Sequence, residues 1–164
     1  MGLQLPGELV TALGWIGLSW PEADEEKLVE MGQAWIDFAG TVGQAAGQAG
    51  TAASAVVAGH SGEALQAFQQ WWADPDSGPG SLPDYAQAAM LVGTGMIICG
   101  AIVLALKIQV IVQLAILAFE VAQAVATAVA TFGASLAEIP IFQTITRELV
   151  SLLIDQVITE LLDA

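Results

Sequence analysis

The residues most suggestive of chemistry are Gly59-His60-Ser61-Gly62-Glu63, where a histidine, a serine and a carboxylate share a glycine-flanked pentapeptide. A serine nucleophile raised on a sharp turn needs a second glycine where Glu63 stands and a strand ahead of the turn. The residues before Gly59 have helical spacing instead, so a helix-turn-helix corner is the reading that fits. His60 is the only histidine, which excludes a triad using another histidine and a multi-histidine metal site. Glu22, Asp24, Glu25, Glu26 and Glu30 form an acidic cluster without the alternating oxygen ligands and central glycine of a calcium loop. Negative charge in a first helical turn is favoured by the helix dipole, and that accounts for the cluster. Cys99 is the single cysteine and lies in an apolar run, where it behaves as a small inert hydrophobe. No catalytic, cofactor-binding or metal-binding residue is expected, and no enzyme.

Trp15, Trp20, Trp35, Trp71 and Trp72 are many for 164 residues. Core packing is expected to explain most of them, although one of the adjacent pair Trp71 and Trp72 must point away from its seam.

The elements that carry these residues are helical. A first long helix starts after Ser19-Trp20-Pro21-Glu22, which resembles a capping box, with Asp24 an equally good cap. Leu28, Met31, Trp35, Phe38, Val42, Ala45, Ala49, Ala52 and Val56 then alternate steps of three and four, a stripe committed to a partner helix. Gly40, Gly43, Gly47 and Gly50 repeat the alternation on another face, at a cost of roughly 1 kcal/mol each against Ala. Such a row predicts the close approach of a second helix. After the Gly59–Gly62 break, Leu65, Phe68 and Trp72 resume the period and complete a helical hairpin. Residues 74–84, rich in Asp, Pro, Gly and Ser, read as a loop, with Ser81 and Asp84 capping the next helix.

Residues 86–130 are apolar almost throughout and rich in helix formers. Residues 86–106 are charge-free for long enough to span a bilayer, yet Gln87, Gln109, Gln113 and Gln123 recur and no basic flank sets an orientation. A central helix wrapped by the hairpin and the terminal helix is the favoured expectation, with bilayer insertion the competitor. Thr131-Phe132-Gly133 and Pro140 interrupt the run. Ile141, Ile145, Leu149 and Leu152 then predict an amphipathic surface helix with Arg147, Glu148 and Asp155 off the stripe. The expected fold is all-α, a helical bundle: a long helical hairpin packed with a long apolar central helix and a C-terminal amphipathic helix.

The net charge of -14, from seventeen acids against Lys27, Lys107 and Arg147, removes the basic footprint of a nucleic-acid binder. Anionic lipid surfaces are disfavoured for the same reason. Met1-Gly2-Leu3-Gln4-Leu5-Pro6 carries no basic residue ahead of an apolar segment, so no cleavable signal peptide is expected and export needs another route.

Leu13-Gly14-Trp15-Ile16-Gly17, Trp20-Pro21-Glu22, Ala34-Trp35, Ser61-Gly62-Glu63-Ala64-Leu65-Gln66-Ala67-Phe68 with Trp71-Trp72, and Thr131-Phe132-Gly133-Ala134-Ser135 together resemble the WxG-type amino-terminal domains of actinobacterial polymorphic toxins. The resemblance covers nearly the whole chain and is greatest to the domain preceding the toxin in channel-type necrotising-toxin proteins. It implies an all-helical targeting module of type VII secretion substrates, built on a hairpin whose turn carries Trp-x-Gly. The turn glycine corresponds to Gly62, while His60 occupies the tryptophan position. At Tyr85 the family's Tyr-x-x-x-Asp/Glu export signal has Ala89 where the acid belongs. Export is then expected to depend on a separate WxG protein that supplies the signal.

Residues 1–164 are expected to form one helical domain, with a WxG-like hairpin half at 1–73, a loop at 74–84 and an apolar helical half at 85–164. His60, Gly62, Trp15, Trp20, Pro21, Trp35, Phe68, Trp71 and Trp72 are expected to carry the motif and its interactions. The expected partners are a small WxG-type helical protein or a homodimer, the secretion machinery and, in the competing reading, a membrane; nucleic acid is not among them. A passenger is expected to be either a toxin region removed beyond Ala164 or absent from a free-standing version.

Overall fold

The structure is a computed structural model that describes residues 2–163. The protein is an all-α helical bundle. Five helices follow in order: α1 (Gly7–Ile16), α2 (Glu25–Gly59), α3 (Glu63–Ala73), α4 (Gly78–Thr127) and α5 (Ile139–Asp163), with a 3-10 turn at Ala134–Glu138. Among the described residues there is no strand. The chain divides into two compact units, residues 1–28 with 98–164, and residues 29–97. Both α2 and α4 contribute to each.

The first unit has a core of large aliphatic side chains. On α4, Val103, Leu106, Val110, Leu114, Leu117 and Ala124 are buried at steps of three, four and seven, one continuous seam of the helix. Ala12, Leu13 and Ile16 of α1 and Val150 of α5 join Leu106, Val110, Leu114 and Leu117 in the buried cluster. Helix α1, which the long periodic pattern did not single out, ends in a left-handed Gly17 whose N–H bonds the Gly14 carbonyl. Between α4 and α5, Gly133 N–H reaches the Ala128 carbonyl at 2.7 Å, with Phe132 and Gly133 both at positive φ. The Ser135 hydroxyl then donates to the Ala124 carbonyl at 2.7 Å and fastens the turn to the helix it follows.

The second unit is built from small residues. Its buried apolar side chains are Ala39, Ala53 and Ala89. The closest approach pairs Gly32 of α2 with Gly93 of α4: a Cβ on either glycine lies 2.6 Å from the other's carbonyl oxygen. Gly32 meets Ile97 and Gly93 meets Ile36, so the two helices run antiparallel through this contact. Leu65, Phe68 and Trp72 of α3 are half-buried. Phe68 and Trp72 line a depression of about 280 Å³ with Gly50, Ala53 and Val57 of α2.

Residues 78–84 belong to α4 and not to a loop, leaving only 74–77 outside a helix. Pro79 sits in the first turn, where no intrahelical partner is missed, and Pro83 follows a turn later. The cap is Ser77, whose Oγ accepts the Gly80 N–H at 3.0 Å while donating to the Asp74 carbonyl, rather than Ser81. Asp24 caps α2 through the Lys27 N–H at 3.0 Å. Gly40, Gly43, Gly47 and Gly50 have no neighbour within 4 Å of a Cβ, so the close approach uses Gly32 and not that row. On α5, Ile141, Ile145, Leu149 and Leu152 are exposed, and the inward face is Phe142, Thr146, Val150, Leu153 and Val157. The apolar α4 helix is covered on one face only. Ile98, Ile108, Val112, Ile116 and Phe119 are exposed, and its most apolar eighteen-residue window, of mean hydropathy 2.4, is 28% buried.

Candidate interaction site

The pattern of α2 places its large apolar side chains outward. Its inward side, Gly32, Ile36, Ala39, Ala46, Gly50, Ala53 and Val57, is buried or half-buried. Met31, Trp35, Phe38 and Val56 lie on the stripe beside it and are exposed. The physical reason is that α2 and α4 approach most closely where side chains are smallest, which turns the bulky stripe away from that seam. Met31, Ala34, Trp35 and Phe38 line an open, almost wholly apolar depression of about 330 Å³. Trp35 and Phe38 hold each other edge-to-face with ring centres 6.0 Å apart, a geometry that fixes two anchors at low entropic cost.

The hairpin turn lies at the other end of α2. His60 is exposed and its Nδ1 is 2.9 Å from the Val56 carbonyl oxygen, where the ring covers a terminal helix carbonyl. Gly62 has φ +124°, which a side chain tolerates poorly, so the turn itself requires glycine there. Ser61 is exposed in a helix-to-helix turn with no strand before it. On α3, Phe68, Trp71 and Trp72 form a three-ring cluster with centroid separations of 5.6 to 6.2 Å. Trp71 is 53% exposed while Trp72 is half-buried. Core packing therefore does not explain most tryptophans: Trp15, Trp35 and Trp71 are all exposed.

Trp20 and Pro21 are half-buried in the linker before α2, beside a polar contact that the sequence reading missed. Lys107 is the only charge of the apolar α4 stretch and is 1% exposed. Its Nζ donates to Glu25 Oε2 at 2.7 Å and to the Ala23 carbonyl at 2.6 Å, and stands 5.8 Å from the Trp20 ring centre. Glu25 also accepts the Leu3 N–H, and Gly2 packs so closely on its carboxylate that a side chain there would collide with it. Burial pushes the Glu25 carboxyl up, but the Lys107 hydrogen bond, the amides of Leu3 and Glu25, and the ammonium charge together hold it below its ordinary value. The signal was present: a lysine alone in an apolar helix requires an acid partner, and only its identity was unreadable. Tyr85 is exposed and Ala89 is 3% exposed, so an acid at 89 would be buried.

On α2 the bulky apolar side chains Met31, Trp35 and Phe38 face outward, and among the described residues the buried charges are those of the Lys107–Glu25 pair. A family model for the WXG100 like domain matches residues 5–148. The chain belongs to that family, whose members are non-enzymatic, type VII secretion-related helical proteins that typically pair with helical partners. No curated protein and no solved structure matches the chain.

Proposed function

We propose that this chain is a targeting and interaction domain that directs a passenger, a toxin or another effector, to a type VII secretion system by pairing with a small helical partner along the outward face of α2. The observation that carries this reading is the exposed Met31, Trp35 and Phe38 stripe in a member of a secretion-related helical family. Spacing of i, i+4 and i+7 is that of anchors on an amphipathic helix, and a contiguous exposed apolar patch marks an interaction surface. Residues 1–73 supply the pairing hairpin and residues 85–164 the apolar half of one domain. Trp35 is the central anchor; Phe68, Trp71 and Trp72, with His60 and Gly62 at the turn, offer the secretion machinery a second contact. Trp20 and Pro21, half-buried in the linker, brace the entry to α2, and Trp15 adds an exposed aromatic on α1. The partner supplies the acid-containing export signal that Ala89 denies to Tyr85. The protein is made in the cytoplasm and exported by the type VII route, as a module of the actinobacterial polymorphic-toxin type.

The test is export of this chain fused to a reporter enzyme. Reporter activity in the medium of a host with an intact type VII system, and its loss in a secretion-null strain, is the expected result. Equal release from both strains contradicts the reading. A second reading, bilayer insertion, draws on one observation: α4 is long and apolar enough to cross a membrane and exposes Ile108, Val112, Ile116 and Phe119. It requires that the purified chain need detergent and permeabilise liposomes.

A further inference from the structure

Residues 2–6 precede the first helix, which begins at Gly7, yet they close over the carboxylate that heads α2. Leu3 N–H donates to Glu25 Oε1 and Lys107 Nζ donates to Oε2 at 2.7 Å, so one oxygen is held by the lysine and the other by this segment. Gly2 is buried, and a Cβ on it would lie 2.7 Å from the carboxyl carbon of Glu25, so bare backbone covers that group. Leu3 and Leu5 are half-buried, and Leu5 packs against the aliphatic cluster of α1, α4 and α5. Gln4 Nε2 donates to the Gly2 carbonyl at 2.9 Å, a bond internal to the segment that fixes its bend rather than its docking.

We propose that residues 2–5 are a strap that clasps the Lys107–Glu25 pair, and that the strap lifts as a local unit, uncovering the pair while the core beneath stays folded. What the strap covers is consequential: the two charges are 1% and 4% exposed, and a buried pair opened from one side is left with poorly compensated charge. What holds the strap is slight. Among the described residues its attachment is one amide bond, a close-packed glycine and two half-buried leucines, without helical hydrogen bonds. The α4 seam nearby buries Leu114 and Leu117 completely. Segments with few buried contacts and no ladder of backbone bonds open at lower free energy than the global transition. Lifting removes the Oε1 donor and the Gly2 cover together, and water then reaches Glu25 and the Lys107 ammonium beside it. Glu25 stands in the first turn of α2, the helix that carries Trp35. The fastening of that helix onto α4 is therefore conditional on an amide twenty-two positions before it.

The test is acylation of the lysines in the full chain by an N-hydroxysuccinimide ester, read by peptide mass spectrometry across urea concentrations below the unfolding transition. Lys27, exposed on α2, is the internal reference. Lys107 is expected to react slowly, at a rate rising far less steeply with urea than global unfolding does, because lifting the strap exposes little surface. Leu3→Pro removes the amide donor and Gly2→Val sets a side chain against the carboxylate, and both leave Lys107 and Glu25 in place. Each is expected to speed Lys107 acylation about tenfold, with Lys27 and the helical circular dichroism unchanged. Val150→Ala, a core truncation on α5, should lower the urea midpoint and leave the Lys107 rate as it is. Lys107 acylation that tracks global unfolding, in urea and in Val150→Ala alike, overturns the proposal, and this arm needs neither strap variant to fold. A native Lys107 rate in both Leu3→Pro and Gly2→Val overturns it as well.

Discussion

At the scale of single residues, the most consequential contact is Lys107 with Glu25, both almost wholly removed from water. Breaking a buried pair from one side leaves an uncompensated charge, which costs about 3–5 kcal/mol. Lys107→Met is therefore expected to lower the unfolding midpoint sharply at neutral pH, as chemical denaturation followed by helical circular dichroism would record. The sign of the pH dependence follows from the carboxyl. Its folded value lies below its ordinary one, so the pair's contribution is fully present above about pH 4.3 and is lost as pH falls through the folded value. The gap between the native chain and Lys107→Met should narrow in melts as acid takes the pH down through the folded value of Glu25; a gap unchanged by acid contradicts the assignment. The need for this pair was legible in Lys107, whereas Glu25 was indistinguishable from its acidic neighbours. Nothing in a first-turn glutamate tells whether it faces water or a lysine eighty-two positions away.

At the scale of elements, helical period was readable and helical phase was not. The steps of three and four on α2 and α5 did mark amphipathic helices. In both, however, the bulky stripe faces outward and a neighbouring face packs inward. Periodicity identifies an apolar face, but it cannot say whether that face is covered by the same chain or by another. The glycines show the same limit. Gly32 was not singled out, yet its Cβ position lies 2.6 Å from the Gly93 carbonyl, while Gly47 meets nothing within 4 Å. Gly32→Ala should force α2 and α4 apart and cost about 1–3 kcal/mol. Gly47→Ala should instead stabilise the exposed helix by about 0.5–1 kcal/mol. Thermal melts of the two variants distinguish these outcomes, and similar shifts in the same direction would contradict the close contact. The cap at Ser77 was missed because Pro79 and Pro83 looked like loop residues. Pro79 is compatible with a helix start, where the first amides have no partner in the helix, whereas Pro83 lies inside the helix and forgoes one intrahelical bond.

At the scale of the whole molecule, all-α architecture and family were legible because composition, spacing and scattered motifs agreed, although α1 and the two-unit division were not. The units differ in what holds them. Leu106, Val110, Leu114 and Leu117 anchor residues 98–164 with the N-terminal segment, whereas residues 29–97 bury little beyond Ala39, Ala53 and Ala89. Buried aliphatic area sets much of local stability. Amide hydrogen exchange should therefore be faster in α3 and the outer half of α2 than in the centre of α4. It should slow when a helical partner occupies the α2 face, because a ligand of the folded state stabilises it. Uniform protection across both units would contradict this division of labour. The open α2 stripe is thus both the weaker unit's exposed flank and the surface proposed above for the helical partner.

The most direct measurement is export of the reporter fusion carrying Trp35→Glu, beside one carrying Leu152→Glu on the exposed face of α5. Trp35→Glu should abolish release through the type VII system with helical content and melting temperature unchanged, while Leu152→Glu is released as the native chain is. Normal export of the Trp35→Glu fusion would contradict a targeting role for the α2 face.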